Sequence, residues 1–344
     1  MRVLFIGDGH ESSTSSHRAK AFLRLGYEVM QLDPLRAFAA RLRGNAGRFH
    51  YHTGYTLLRG AVLDWLRKEI GVGPTFDLCW VDGGEMLGAN SVRLLRERCG
   101  SAILFNHDDP TGQRDWRRFY TLRSAISSYH RCAVVRSFNV DEFKAYGAQD
   151  VVRVYRTYDE VAHAAPAGHA PIGERFRSDV CFIGANYKGE NRDYFLANLI
   201  DRGLKLAIWG DHWERSPVWK KLEPFHRGGN LTGSEYVDAI RGAKACLGLL
   251  AARNRDEHTT RSMEIPYAGG VLCAQRTPEH TGLYNEGSEA LFWSNFEECY
   301  LAASRLVSDD ALRTRIRERG MERVRKNCVG NESMIAKVVG PLSC

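Results

Sequence analysis

RVLFIGDGHESSTSSHRAKAFLRLGYEVMQLD (2–33) decides the fold. RVLFIGD (2–8) is an apolar run of strand length that ends in a glycine turn. HRAKAFLRLG (17–26) follows with helical spacing and Gly26 as its C-cap, and YEVMQLD (27–33) is a second strand. Strand, helix and strand in one stretch make a βαβ unit, the building block of a parallel sheet.

The same alternation continues outward. Helical material runs to residue 70, and strands are read at 76–84, 101–110, 130–137 and 151–157, with helices at 91–100 and 140–147. The composition then shifts to Ala, Pro and Gly without a period, which reads as a linker at 161–176. A second series follows, with strands at 178–185, 205–210, 243–250, 270–275 and 289–293. Helices are read at 191–203, 233–242, 277–284, 295–307 and 309–328. The expectation is an α/β protein of two Rossmann-like doubly wound domains facing across a cleft. Domain one is 1–160, on the acceptor side. Domain two is 177–328, on the nucleotide side. The tail, 329–344, packs back on the first domain.

The 344 residues suit two domains. With 44% hydrophobic and 26% charged residues, the composition is that of a water-soluble enzyme. No apolar run reaches the length of a membrane span, and MRVLFIGDGH lacks the features of a signal peptide. The nine cysteines show no CxxC or Cys/His spacing, which points to free thiols in a reducing cytoplasm and to no zinc site. The net charge of +7 suits an anionic ligand or an acidic acceptor. RTRIRERGMERVRK (313–326), with its interspersed acids, reads as a solvated helix face. There is no GxxxxGK[ST] and no GxSxG. GDGHES (7–12) departs from GxGxxG, and Asp33 is a weak candidate for the acid of a dinucleotide site.

Ligands of open parallel sheets sit beyond the carboxyl ends of the strands. Those ends carry Asp8, His10 and Glu11, then Asp82 to Glu85, then Asn106, His107, Asp108 and Asp109 in the first domain. In the second they carry Gly184, Asn186 and Lys188, then Gly210 and Asp211, then Asn254, Asp256 and Glu257. RSMEIPYAGG (261–270) reads as a short buried helix with Thr259 or Thr260 as its cap, free amides at its start and Arg261 in its first turn. Glu264 either grips a diol such as a ribose or is an exposed helix residue. Gly269 and Gly270 let the helix lie close to a strand.

Asp256, seven intervening residues and Glu264, followed by IPYAGGVLCA, resemble the EX7E-type donor segment of GT-B glycosyltransferases. RSMEIPYAGGVLCAQRTPEHTGLYNEGSEALFW (261–293) and SDVCFIGANYKGENRDYF (178–195) are similar to the CgeB-like branch, named for a spore maturation protein. The resemblance covers 178–328 and implies a nucleotide diphosphate sugar as donor, with no tightly bound cofactor. It places Glu264 on the ribose, Arg261 with the amides of Thr259 and Thr260 on the diphosphate, and Lys188 and Arg192 after Gly184 in a basic clamp. Asp256 stands where the family has a glutamate at the sugar. Trp209 is either a platform for the base or a core residue. His107 occupies a position like the first-domain histidine of retaining members. Asp108 and Asp109 are acceptor-side groups or a structural turn that caps a helix.

Departure of the diphosphate needs preorganised positive charge and no metal. An inverting enzyme also needs a base, for which Asp8, His10, Glu11, His17 and Asp109 are candidates; the EX7E-like spacing leans to retention. The acceptor is open: glycan, protein, small molecule or modified DNA. Two other readings stand beside transfer, a GT-B sugar-nucleotide epimerase and a basic module that binds nucleic acid or acidic polymer.

Overall fold

The computed structural model describes residues 1–71, 75–166 and 171–340. Residues 167–170 of the 161–176 linker and 341–344 of the tail lie outside them. The chain divides into two compact units, one built from 1–155 with 331–344 and the other from 156–330.

The first unit holds a six-stranded sheet of β1 (Arg2–Ile6), β2 (Glu28–Leu32), β3 (Phe76–Asp82), β4 (Cys99–Asn106), β5 (Arg131–Val134) and β6 (Val151–Arg153). Every pairing is parallel, in the order β2-β1-β3-β4-β5-β6. Runs such as VLFI (3–6) are apolar throughout because helices cover both faces of a parallel sheet. Alternate residues of β1 accordingly enter different cores. Leu4 and Ile6 pack with Val62, Leu66, Val92 and Leu95. Val3 and Phe5 pack with Ala19, Phe22, Met334, Ile335 and Val338.

The last three belong to the helix Asn331–Val339, which the sequence pattern left inside an unassigned tail. It is held in the first unit by Glu332 against Arg24, 2.5 Å apart, and by Arg131, whose Nη1 donates to the carbonyls of Val338 (2.6 Å) and Gly340 (2.9 Å).

The second unit holds β7 (Ser178–Ile183), β8 (Leu206–Trp209), β9 (His226–Gly228), β10 (Ala243–Gly248), β11 (Leu272–Gln275) and β12 (Leu291–Trp293). The order β12-β11-β10-β7-β8-β9 is again all parallel. This is the doubly wound order of dinucleotide-binding folds. β9 is an edge strand of three residues, too short to show a period. Some helix starts fall where short polar side chains cap them. Ser13 accepts from the amide of Ser16, Asn295 from Glu298 and Asp309 from Leu312. Asp33, a weak nucleotide candidate, is itself a cap: it accepts from the amide of Arg36, and its other oxygen from Gly9.

Candidate functional site

In both sheets the strand order reverses at one point, and both reversals open onto a hollow. In the second unit the reversal lies between β7 and β10. Beyond their carboxyl ends is a hollow of about 320 Å³ bounded by Ile183, Gly184, Arg192, Leu249, Thr259 and Arg261, with Asp211 and Asn230 on the far rim. Glycine is needed at Gly210 (φ +125°), where a Cβ would stand 2.4 Å from the Gly184 carbonyl oxygen.

Of the residues expected to hold a nucleotide, Gly184, Arg192, Thr259, Thr260 and Arg261 line this hollow. Arg192 is buried and donates to the carbonyls of Ala185 (3.0 Å) and Leu250 (3.4 Å), which fixes its guanidinium against the loop after β7. Lys188 is exposed on that loop and does not line the hollow. Asp256 lies outside it too, its carboxylate 3.3 Å from Arg156 Nη2. Trp209 is not a platform for a base: only 1% of it is exposed, and its ring packs against Phe176 with Arg175 above.

The helix Arg261–Tyr267 differs from its sequence reading in four ways. No side chain caps it. The amide of Thr259 is not free, since it donates to Ser262 Oγ at 3.0 Å. Gly269 (φ +86°) closes the helix in the left-handed conformation. Gly270 lies close not to a strand but to the helix Gly233–Gly242, where a Cβ would come 2.4 Å from Ile240 Cγ2. Pro266 removes the donor that would have reached the Ser262 carbonyl, and the Tyr284 hydroxyl takes its place at 2.7 Å.

Glu264 is neither exposed nor open to the hollow. It is buried, and its Oε2 accepts from Tyr236 Oη (2.5 Å) and Arg261 Nη1 (2.6 Å). Its Oε1 stands 3.6 Å from His163 Nε2, and the amide of Asp159 donates to His163 Nδ1, which leaves the ring proton on Nε2. Burial pushes the Glu264 carboxyl up, but Arg261, His163 and Tyr236 outweigh it and hold it below its ordinary value. Arg261, about one-third exposed (32%), also donates from Nε to the Ile183 carbonyl at 3.2 Å. The carboxylate therefore stands behind the arginine and fixes it at the wall of the hollow.

Behind that pair lies a second buried chain. His280 donates from Nδ1 to the Gln275 carbonyl (2.6 Å) and accepts at Nε2 from Ser262 Oγ (2.8 Å). Burial pulls its pKa down to about 4, so the neutral ring is the form that serves. His258, also buried, accepts from the amide of Arg156 and donates to Glu279. His163, Tyr236, Ser262 and His280 were not legible as site residues. The only trace was the Thr277–Pro278 pair that starts the helix carrying His280.

In the first unit the order reverses between β1 and β3. A hollow of about 240 Å³ there is lined by Asp8, Asp82, Glu85, His107, Asp108 and Arg118, among others. Arg18 donates twice to the Asp82 carboxylate (2.6 and 2.9 Å), and Trp80 adds a third bond. Burial pushes Asp82 up, but Arg18 prevails and holds it low. Arg118 pairs with Glu85 and stands 3.7 Å from Asp108. Burial raises the Glu85 carboxyl above its ordinary value, and Asp108 adds to the rise against Arg118. His107 Nε2 lies 4.0 Å from Asp108, and the buried Arg136 clamps the carbonyls of both (3.1 and 2.6 Å).

Asp8, His107 and Asp108 thus come together. His10 and Asp109 do not join them. His10 is exposed, its ring bonded to Ser12. Asp109 is buried and accepts from Asn139 (3.1 Å) and Thr111 (3.3 Å); no helix starts there, so it serves a turn. Glu11 is exposed beside Lys20.

Residues 192–330 match a family model described as glycosyl transferase-like. Among curated protein sequences nothing matches. Whole-chain structural matches are strong at low identity. Sucrose-phosphate synthase from Thermosynechococcus elongatus superposes with a TM-score of 0.65 at 11% identity, covering 99% of this chain and 98% of that one. Anabaena HepE in complex with UDP and glucose gives 0.63 at 11%, with 98% and 99% covered. The UDP-forming α,α-trehalose-phosphate synthase of Burkholderia vietnamiensis gives 0.62 at 11%, with 99% and 100% covered. The chain has the fold of GT-B glycosyltransferases, with a glycosyl transferase-like sequence over 192–330.

Proposed function

We propose that this chain is a glycosyltransferase that moves a sugar from a nucleotide diphosphate sugar to an acceptor hydroxyl. One observation carries the reading: the hollow at the reversal of the second sheet takes most of its lining from the glycosyl transferase-like region, including its two arginines, Arg192 and Arg261. Fixed cations at that place neutralise charge that builds on a leaving diphosphate, and they need no reorganisation as the bond breaks. Arg261 is the residue placed for this, with Glu264 as its positioning residue. In this arrangement the role of Glu264 on a ribose, which the resemblance implies, gives way to that of an anchor. The first unit supplies the acceptor-side groups, with Asp108 and His107 beside Arg118. The pattern of 261–293 favours the CgeB-like branch, retention at the anomeric carbon and transfer without a metal.

The test is a thermal-shift screen of the intact protein against sugar nucleotides. UDP-glucose comes first, because a solved neighbour, Anabaena HepE, is in complex with it. A ligand that binds only the folded state raises the melting temperature by mass action. The hit is then incubated with candidate acceptors, and release of nucleotide diphosphate is followed with and without EDTA. Arg261→Ala is expected to weaken the hit at least ~10-fold, the worth of one charge-assisted hydrogen bond. A panel in which no sugar nucleotide shifts the melt, or a hit that Arg261→Ala leaves unchanged, overturns the reading.

A further inference from the structure

A hollow larger than either of those at the reversals lies at the opposite end of the second sheet, at the amino ends of the strands. It has a volume of about 630 Å³. Ser178 and Ala243, which face each other in register at the starts of β7 and β10, form part of its floor. Arg177, Lys205 and Lys244 stand at strand starts around it, and Arg227 comes from β9. Arg241 reaches it from the helix Gly233–Gly242. Arg313 and Arg317, one turn apart, reach it from the helix Asp310–Lys326. Among the described residues seven cationic side chains line it against one carboxylate, Asp179, which is already paired with Lys244 at 2.8 Å.

Complementing a helix carboxyl end accounts for one of these cations. Arg241 lies in the last turn of its helix, but Arg313 and Arg317 lie in the amino-terminal half of theirs. Three of the lining residues also carry buried polar atoms with no hydrogen-bond partner: Ser178 Oγ, Arg241 Nη1 and Arg317 Nε. Arg241 Nη1 is 3.6 Å from Asp238, beyond hydrogen-bond reach. Burial, then the positive charge of Arg313 and Arg241, pulls the pKa of Arg317 below its ordinary value. Asp310 offsets Arg313 at 2.6 Å and Glu174 offsets Arg177 at 3.1 Å, but the cations around Arg317 still repel one another, and an anion among them would relieve this. The lining holds no aromatic side chain among the described residues, so nothing there stacks on a base. The segment 313–326, which reads in sequence as a solvated face, thus presents two of its arginines to a concave surface.

We propose that this hollow is a binding site for a small anion bearing two or more phosphate groups, separate from the nucleotide-sugar hollow and independent of what that hollow binds. Ser178 Oγ, Arg241 and Arg317 hold one phosphate at the floor. Lys205, Arg177 and Arg227 meet the next at the rim.

The probe is inorganic tripolyphosphate, titrated calorimetrically into the intact protein at fixed ionic strength, with inorganic phosphate and a short DNA duplex as parallel arms. The wild type is expected to bind tripolyphosphate with one site per chain and to bind monophosphate at least ~10-fold more weakly. Arg317→Gln and Arg241→Gln are each expected to weaken tripolyphosphate at least ~10-fold while far-UV circular dichroism stays that of the wild type. Lys205→Gln, at a strand start on the rim, gives a second reading should a floor variant fail to fold. Absence of binding to the wild type, equal affinity in the variants, or DNA that binds as tightly and displaces tripolyphosphate each overturns the proposal.

Discussion

Arg261 Nη1 lies 2.6 Å from Glu264 Oε2, one helical turn along a helix of seven residues, and Tyr236 Oη donates to the same oxygen at 2.5 Å. The acid of the donor-type segment is thus satisfied from inside the protein, and the arginine is the member of the pair that meets the hollow.

Glu264→Gln keeps an acceptor for Tyr236 but removes the charge that anchors Arg261. Breaking one side of a buried pair costs about 3–5 kcal/mol, and a loss at the lower end of that range is expected in denaturant melts. In turnover assays the donor KM should rise and kcat fall together, because Arg261 is released from its place. Glu264→Asp should recover part of both. A variant with wild-type donor KM and kcat would show that anchoring Arg261 has no part in turnover.

The His280 ring titrates in the folded protein at about 4, against an ordinary 6.5. Between these values the unfolded chain takes up a proton that the folded one refuses. Stability from this residue is therefore complete above about pH 6.5 and is lost as pH falls toward 4, by about 3 kcal/mol in all. Denaturant melts at pH 7 and pH 5 should show the fall, and His280→Asn should flatten it. An unchanged slope in the variant would assign the acid sensitivity to other groups.

Trp209 is a core residue of β8, packed on Phe176. Trp209→Ala should cost about 3–5 kcal/mol in stability through the cavity it leaves. Nucleotide affinity, measured well below the melting temperature, should stay within about twofold, since one base-stacking contact is worth ~1–3 kcal/mol and none is expected to be lost. A much larger loss of affinity in a folded variant would return the ring to the base.

Arg18 and Asp82 form a buried pair beneath the first unit's hollow, with side chains 4% and 1% exposed. Arg18→Met strands the carboxylate and should destabilise by about 3–5 kcal/mol, whereas Arg18→Met with Asp82→Leu should restore most of that loss. The double-mutant cycle measures the coupling directly. Additive effects would mean that the two charges do not depend on each other.

The architecture was legible because it rests on local pattern. Apolar runs of strand length alternated with helical spacing, and Gly26 marked a helix end in the sequence itself. The hollows followed from the strand ends, a consequence of topology. What stayed hidden depends on distance along the chain. Tyr236, His163 and His280 converge on one short helix from positions 28, 101 and 18 residues away from their partners Glu264 and Ser262, and no spacing rule joins them. Asp109 and Trp209 carry the residue types that a site uses, but only burial tells a turn or a core residue from a ligand contact. Spacing does not show which side of a helix meets a void, so the arginines of 313–326 read as surface.

The helix Asn331–Val339 seals a core whose other members lie in the first 155 residues. A ribosome therefore finishes the whole of 156–330 before it delivers that helix. Until then Phe22 and its neighbours lack their cover, so a fragment ending near residue 155 leaves a greasy face bare, and the folding of the amino-terminal unit is completed last although it is synthesised first.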